Sequence, residues 1–187
     1  MCALFGIHDY SNSLNSRQKE MILSVLSQEC EVRGTDATGI AYIKNGKLQI
    51  YKRPISASYM RYNIPHKTKI IMGHTRMTTQ GSEKNNCNNH PFSGNVKNNA
   101  FALAHNGILR NDRELRQSMN LPKTNIETGS YIAVQIIEKP YAKKQIRKRG
   151  TFPSCEKEQI HKSKDCQIPV KYRRNRVFDN EYRRFHI

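Results

Sequence analysis

Cys2 stands directly behind Met1, so removal of the initiator methionine would leave one residue carrying both a thiol and a free α-amine. A thiol with an ordinary pKa of about 8.5 is mostly protonated at neutral pH, and an α-amine near about 7.8 can take its proton. The pair is a nucleophile with its own base. A cysteine at position two is otherwise just a small apolar residue, so the distinction between the two readings rests on what accompanies it. Polar segments stand immediately after three apolar runs or helical stretches: Arg33-Gly34-Thr35-Asp36, His74-Thr75-Arg76 and His105-Asn106-Gly107. Strand ends and the loops they fix are the natural place to gather such side chains into one cleft.

The elements that must position them follow from periodicity. Ala3 to Ile7 reads as a short buried strand with Ala3, Phe5 and Ile7 on one side, which would hold Cys2 inside a sheet. No charged stretch precedes it and the apolar run is too short for a secretory signal. Ser16 is the expected N-cap of a helix running to about Gln28, with Ile22, Val25 and Leu26 as its packing stripe and Arg17, Lys19 and Glu20 outside. Asn45-Gly46 between 40–44 and 47–52 is a strong hairpin signal and predicts antiparallel sheet. Residues 53–68 have only a connecting role in this reading. Further strands are expected over 69–74 and 100–105, separated by a long polar segment from Ser82 to Gly94 of the kind that carries function. Asn111 and Glu114 have the spacing of a capping box for a helix that includes Leu115 and Met119. A last helix opens near Thr128, buries Ile132, Ile136 and Ile137, and closes at Pro140.

The chain has 187 residues, enough for one domain with a core, and no apolar run near the ~20 residues that span a bilayer. Five cysteines without tight spacing predict a reducing compartment, with cytoplasm the default. Cys87 and His90 are too isolated to suggest zinc, so neither metal nor cofactor is expected. The net charge of +17 is uneven: residues 1–140 hold 18 Lys and Arg against 10 Asp and Glu, and 141–187 hold 14 against 5. From Tyr141 onward no period persists, and the basicity belongs largely to a tail that needs no fixed structure.

Taken together, Cys2, Arg33-Gly34-Thr35-Asp36-Ala37-Thr38-Gly39, Gly73-His74-Thr75-Arg76, Asn89-His90-Pro91 and His105-Asn106-Gly107-Ile108 resemble the class II glutamine amidotransferases, N-terminal-nucleophile hydrolases, over roughly residues 2–138. The resemblance implies an α+β fold, a four-layer αββα sandwich with two antiparallel sheets, and hydrolysis of the glutamine side-chain amide to glutamate and ammonia. It implies Cys2 as nucleophile. Asn106 and Gly107 would form the oxyanion hole through a side-chain amide and a backbone N–H, donors worth roughly 3–4 kcal/mol each. Arg76 would grip the substrate α-carboxylate and Arg33 would orient the N-terminal region. His74, His90 and His105 are read as structural hydrogen-bonders.

This chain departs from the family at Ala3, where glycine is usual, and at Gln80, often histidine in the sugar-phosphate branch, so the ammonia acceptor is not inherited. At Gly129, a substrate-binding position, the family carries an aspartate for the α-ammonium group. Loss of a charge-assisted bond of roughly 1.5–3 kcal/mol predicts glutamine binding weaker by about ten- to a hundredfold. Glu127 is a nearby carboxylate whose direction the sequence leaves open. The family's domain ordinarily continues with more core strands, so a partial domain over 2–140 and a basic tail over 141–187 are expected, as of a truncated copy. The expected partners are glutamine and a separate synthetase or acceptor subunit, with no membrane. Two alternatives stand beside this reading: an inactive remnant with the same shape, and a basic protein binding nucleic acid through residues 143–184, where Tyr172, Phe178 and Tyr182 are interleaved with charge and Phe185 follows.

Overall fold

The computed structural model describes residues 2–146 and 170–171. Seven strands are described: β1 (Ala3–His8), β2 (Ala37–Lys44), β3 (Lys47–Arg53), β4 (Ile70–Arg76), β5 (Phe92–Val96), β6 (Asn99–Leu103) and β7 (Val170–Lys171). Three α-helices accompany them: α1 (Ser16–Glu31), α2 (Asp112–Ser118) and α3 (Tyr131–Ile146). One sheet has the order β1-β4-β2-β3-β7 and the other pairs β5 with β6, and every pairing is antiparallel. α1 lies against β1 and β4, β6 against β3, and α3 against β5, which is the expected αββα layering of an α+β fold. No described helix is long and apolar enough to cross a membrane.

Period-two alternation sorts the central strands between two cores. Ile40 and Ile71 turn toward α1 and pack with Leu23, with Phe5 and Ile7 of β1 alongside. Their neighbours Ala41 and Met72 turn the other way, where Leu48, Ile50 and Ala100 fill the space between the sheets. Gly73 has no side chain because the Phe5 ring lies on it, 2.3 Å from where a Cβ would stand. The same alternation along β4 sends His74 and Arg76 to the inter-sheet side. Both belong to the strand, which runs two residues beyond the expected end at His74.

The first helix departs from the sequence reading at its start and on its buried face. Its N-cap is Asn15, one residue before the expected Ser16: the Gln18 N–H donates to Asn15 and the Asn15 N–H to the Gln18 side chain, each at 2.9 Å. Lys19, Leu23 and Ser27 form the buried stripe, whereas Met21 and Val25 are each 57% exposed and Ile22 also faces outward. Lys19 is wholly buried because its ammonium is fully engaged: Asp9 Oδ2 lies at 3.1 Å and the carbonyls of His66 and Thr68 at 2.5 and 2.7 Å. A buried charge is tolerated only with such partners.

Residues 53–68 do more than connect. Met60, Tyr62 and Ile64 are buried beside Leu23, and the Ser58 and Ile64 N–H groups donate to Glu31 and Glu20 of α1. Their alternation with Arg61 and Asn63 is an extended strand-like pattern in which the Ile64 N–H is bonded to a side chain in place of a neighbouring strand. The segment expected as polar loop to Gly94 yields β5 from Phe92, turned into β6 by Lys97 and Asn98, both with positive φ, a hairpin turn without glycine. Asn111 precedes α2 without a side-chain capping bond, so the predicted capping box with Glu114 is not formed. α3 begins at Tyr131 and runs through Pro140 to Ile146; Pro140 removes one backbone donor without ending the helix. It buries Ile132 and Val134, leaving Ile137 40% exposed.

Burial raises the Asp9 carboxyl pKa, but Lys19 and the Leu14 and Ser13 N–H groups outweigh it and hold the value below the usual range. A depressed carboxyl contributes stability above its ordinary pKa and loses it as the pH falls through the folded-state value. Lys19→Met is therefore expected to lower the denaturant midpoint near neutral pH and to flatten the acid limb of the stability profile, while the neighbouring surface change Arg17→Met leaves both in place. Leu23→Ala, at a fully buried position, is expected to lower stability by about 2–5 kcal/mol in the same titration.

Candidate active site

Cys2 enters from the start of β1, whose register sets Ala3 opposite Thr75 and so brings Cys2 beside the end of β4. Its sulfur accepts from the Met77 N–H at 3.4 Å, with the Met77 carbonyl 3.6 Å away. From the turn after α1, Arg33 Nε donates to the Cys2 carbonyl at 3.3 Å. The rest of that turn is clamped to the same strand end. The Asp36 N–H donates to the Arg76 carbonyl at 3.0 Å and its carboxylate accepts from the Thr78 N–H at 2.6 Å. Gly34 is required by this close approach, because a Cβ there would lie 2.4 Å from the Arg76 carbonyl carbon and 2.6 Å from the Met77 nitrogen that faces the sulfur.

Arg76 is 2% exposed, yet it lines the same cleft as Cys2. Its guanidinium donates to Asn89 Oδ1 at 2.6 Å, to the carbonyls of Gln80 and Gly81 at 2.5 and 3.1 Å, and to Thr128 Oγ1 at 3.5 Å. Burial lowers its pKa, opposed by Cys2, Asp36 and Glu83, and a guanidinium keeps its charge under such pressure. Three of these acceptors share the two N–H groups of Nη2 and one takes an N–H of Nη1, so the four do not use up the five donors of the guanidinium. The fork is held in plane and still has something to offer.

Gly107 and Gly129 also line the cleft, with Thr79, Gln80, His105 and Ser130. Gly107 backs onto the His105 ring, whose Nδ1 is 2.9 Å from Ser130 Oγ. Asn106 is exposed next to Gly107 and is not among the lining residues, and Arg33 touches Cys2 from outside the cleft. Glu127 faces elsewhere: its carboxylate accepts from the Asn88 amide at 2.8 Å and the Ser82 N–H at 3.4 Å. At Gly129 the N–H donates to Gln80 Oε1, and Gln80 Nε2 donates to Asp112 Oδ2, both at 2.9 Å.

Sequence reasoning gave no role to Asn88, Thr128 or Asp112, and gave Asn89 only as part of the Asn89-His90-Pro91 motif. Asn89 and Thr128 hold the Arg76 fork, and Thr128 in turn donates to the Asn88 carbonyl at 2.8 Å. For Asn88 and Asn89 the signal was present in the asparagine-rich run before Pro91. An arginine buried at a strand end needs nearby acceptors, and that run is the richest source of them.

Behind Arg76, His74 and His90 stack with ring centroids 4.3 Å apart, and His90 meets Phe92 at 4.4 Å. Burial is the main cause that pushes His74 down to about 4; His90 is lower still, with His74, Arg76 and Lys52 adding to the effect. Both are neutral at physiological pH, so neither ring adds a positive charge to those of Arg76 and Lys52. Unfolded histidines titrate near about 6.5. The stability contributed by the pair is thus present above that pH and lost as the pH falls through the folded-state values. Unfolding at pH 5 is expected to take up roughly two protons from this pair. Proton uptake by calorimetry in buffers of different ionisation enthalpy measures it, and replacing both histidines by glutamine should remove it.

Residues 1–149 match the family model described as glutamine amidotransferases class-II. Among curated proteins the chain is 30% identical over 142 residues to the glutamine–fructose-6-phosphate aminotransferase (isomerizing) of Staphylococcus aureus strain Mu50, covering 74% of this chain and 22% of that protein. The corresponding protein of Staphylococcus epidermidis strain RP62A matches at the same identity and coverage. The chain therefore spans about a fifth of the length of these relatives. With the αββα layering and the cleft at the end of β4, the match settles the family: this chain belongs to the class II glutamine amidotransferases.

Proposed function

We propose that this chain releases ammonia from the glutamine side chain through a thioester on Cys2, after removal of Met1. The observation that carries the reading is the Cys2 sulfur held against the Met77 backbone in the same cleft as Arg76 and Gly107. Arg76 would bind the α-carboxylate and set the side-chain amide toward the sulfur. The Cys2 α-amine takes the thiol proton; the sulfur attacks the amide carbon, and the oxyanion that forms receives the Gly107 N–H and the Asn106 side-chain amide. The amine's proton passes to the leaving nitrogen, ammonia departs, and a γ-glutamyl thioester remains. Water then attacks it, giving its proton to the amine, and collapse returns glutamate and the thiol. Asn106 is exposed beside the cleft, so this role requires its side chain to turn inward when substrate is bound. Arg33 would hold the Cys2 backbone, and Gly129 would border the α-carbon of the substrate.

We further propose that residues 2–140 carry this glutaminase chemistry as a partial domain, with the basic stretch 141–187 as an appendage. The candidate nucleic-acid segment lies outside the described residues apart from 143–146, at the end of α3, and Val170–Lys171. The ammonia acceptor would be supplied by a separate synthetase or acceptor subunit, in a cytoplasmic setting that suits the thiols of Cys2 and Cys30.

Cys2→Ala is expected to reduce ammonia release from glutamine by at least roughly a thousandfold. An unchanged rate would sink the reading. Arg76→Lys keeps the charge and loses the fork, and is expected to raise KM for glutamine by roughly ten- to a hundredfold with a smaller effect on kcat. Intact-mass spectrometry after treatment with a chloroketone analogue of glutamine should show a chain without Met1 carrying one adduct, mapped to Cys2.

A further inference from the structure

An α-amino acid presents a carboxylate and an ammonium group on one carbon, so a pocket that binds it well needs charges of both signs close together. Among the described residues lining the cleft, Arg76 supplies the positive charge and no lining side chain is a carboxylate. Gly129 leaves a gap in that lining, and what fills it is specific. A Cβ at 129 would stand 2.8 Å from Gln80 Oε1, 3.3 Å from Asp112 Cβ and 3.4 Å from Asp112 Oδ2. A Cβ at 129 would thus press on the Gln80 amide oxygen and stand in contact with Asp112, which lies directly behind the cleft lining at this point. Gln80 makes the connection in both directions: its backbone carbonyl accepts from Arg76 at 2.5 Å and its side chain donates to Asp112 at 2.9 Å. The Gly129 N–H fixes the orientation of the Gln80 amide by donating to its oxygen. One residue therefore carries an arginine at its main chain and a carboxylate at its side chain. Glu127 is committed to Asn88 and Ser82 and does not compete for this role.

We propose that Asp112, held over Gly129 by Gln80, is the specificity residue that receives the α-ammonium group of the substrate. The proposal rests on glutamine as the ligand of the cleft. Asp112 supplies from the start of α2 the charge that residue 129 lacks, and Gln80 is its positioning residue.

The test separates this assignment from the proposed chemistry by reading binding and turnover independently. Binding is measured as the protection of Cys2 from iodoacetamide by L-glutamine and by 4-carbamoylbutanoate, which is glutamine without its amine. The unaltered protein is expected to prefer L-glutamine by roughly ten- to a hundredfold. Asp112→Asn should abolish that preference while leaving 4-carbamoylbutanoate protection and the bare alkylation rate unchanged. Glu114→Gln removes a charge from the same helical turn and should leave the preference intact. A preference that survives in Asp112→Asn, or no preference in the unaltered protein, overturns the assignment. Ammonia release is followed in parallel: its absence beside an Asp112-dependent preference would overturn the glutaminase chemistry and leave the assignment standing, and the reverse pattern would do the opposite.

Discussion

The pairing of β1 with β4 is the constraint on which the site depends. Cys2 is close to a chain end, and chain ends fray unless something ties them down. Six consecutive register pairs from Ala3–Thr75 to His8–Ile70 tie this one, so that the sulfur meets the Met77 backbone. The same strand end delivers Arg76, and the Arg33–Asp36 turn is bonded across it. The placements of the Cys2 thiol, the Arg76 cation and the supporting turn are thus three consequences of one strand register. With β4 held in place by β2, a slip of one residue in β1 would send Cys2 to the α1 side, away from Arg76.

The buried polar groups divide into two sets with different physical roles. Lys19 and Asp9 are charged and satisfied, joining α1 to the segment around His66 and Thr68 where the sequence offers few apolar anchors. His74 and His90 are buried and neutral, filling the space behind Arg76 with rings that add no charge. The first set fastens an outer layer. The second keeps the interior of the site compatible with one buried guanidinium.

Much of this architecture was legible because its signals are local or depend on period two. The Asn45-Gly46 hairpin and the strands around Phe5, Ile71 and Phe101 follow from short-range chemistry, whereas the grouping of Cys2, Arg76 and Gly107 came from the resemblance to a family. The errors came where tertiary partners override local preference. Lys19 reads as solvent-facing until Asp9 and two distant carbonyls are brought to it, and its burial turns the helix so that Val25 faces outward. The β5–β6 turn was hidden because Lys97 and Asn98 take positive φ without glycine. Asp112 was invisible as part of the site because its relevance depends on Gln80 and Gly129, 32 and 17 residues away along the chain.

The shared occupancy around Gly129 has an evolutionary consequence. Positions 80, 112 and 129 border a single volume, so a side chain gained at 129 displaces the Gln80 amide and crowds Asp112. Substitutions at the three positions are therefore not independent events, and their order matters. A lineage that moves the acid between helix α2 and position 129 passes either through a crowded intermediate or through one without the charge. Relatives should accordingly carry these residues as linked sets, with few mixtures.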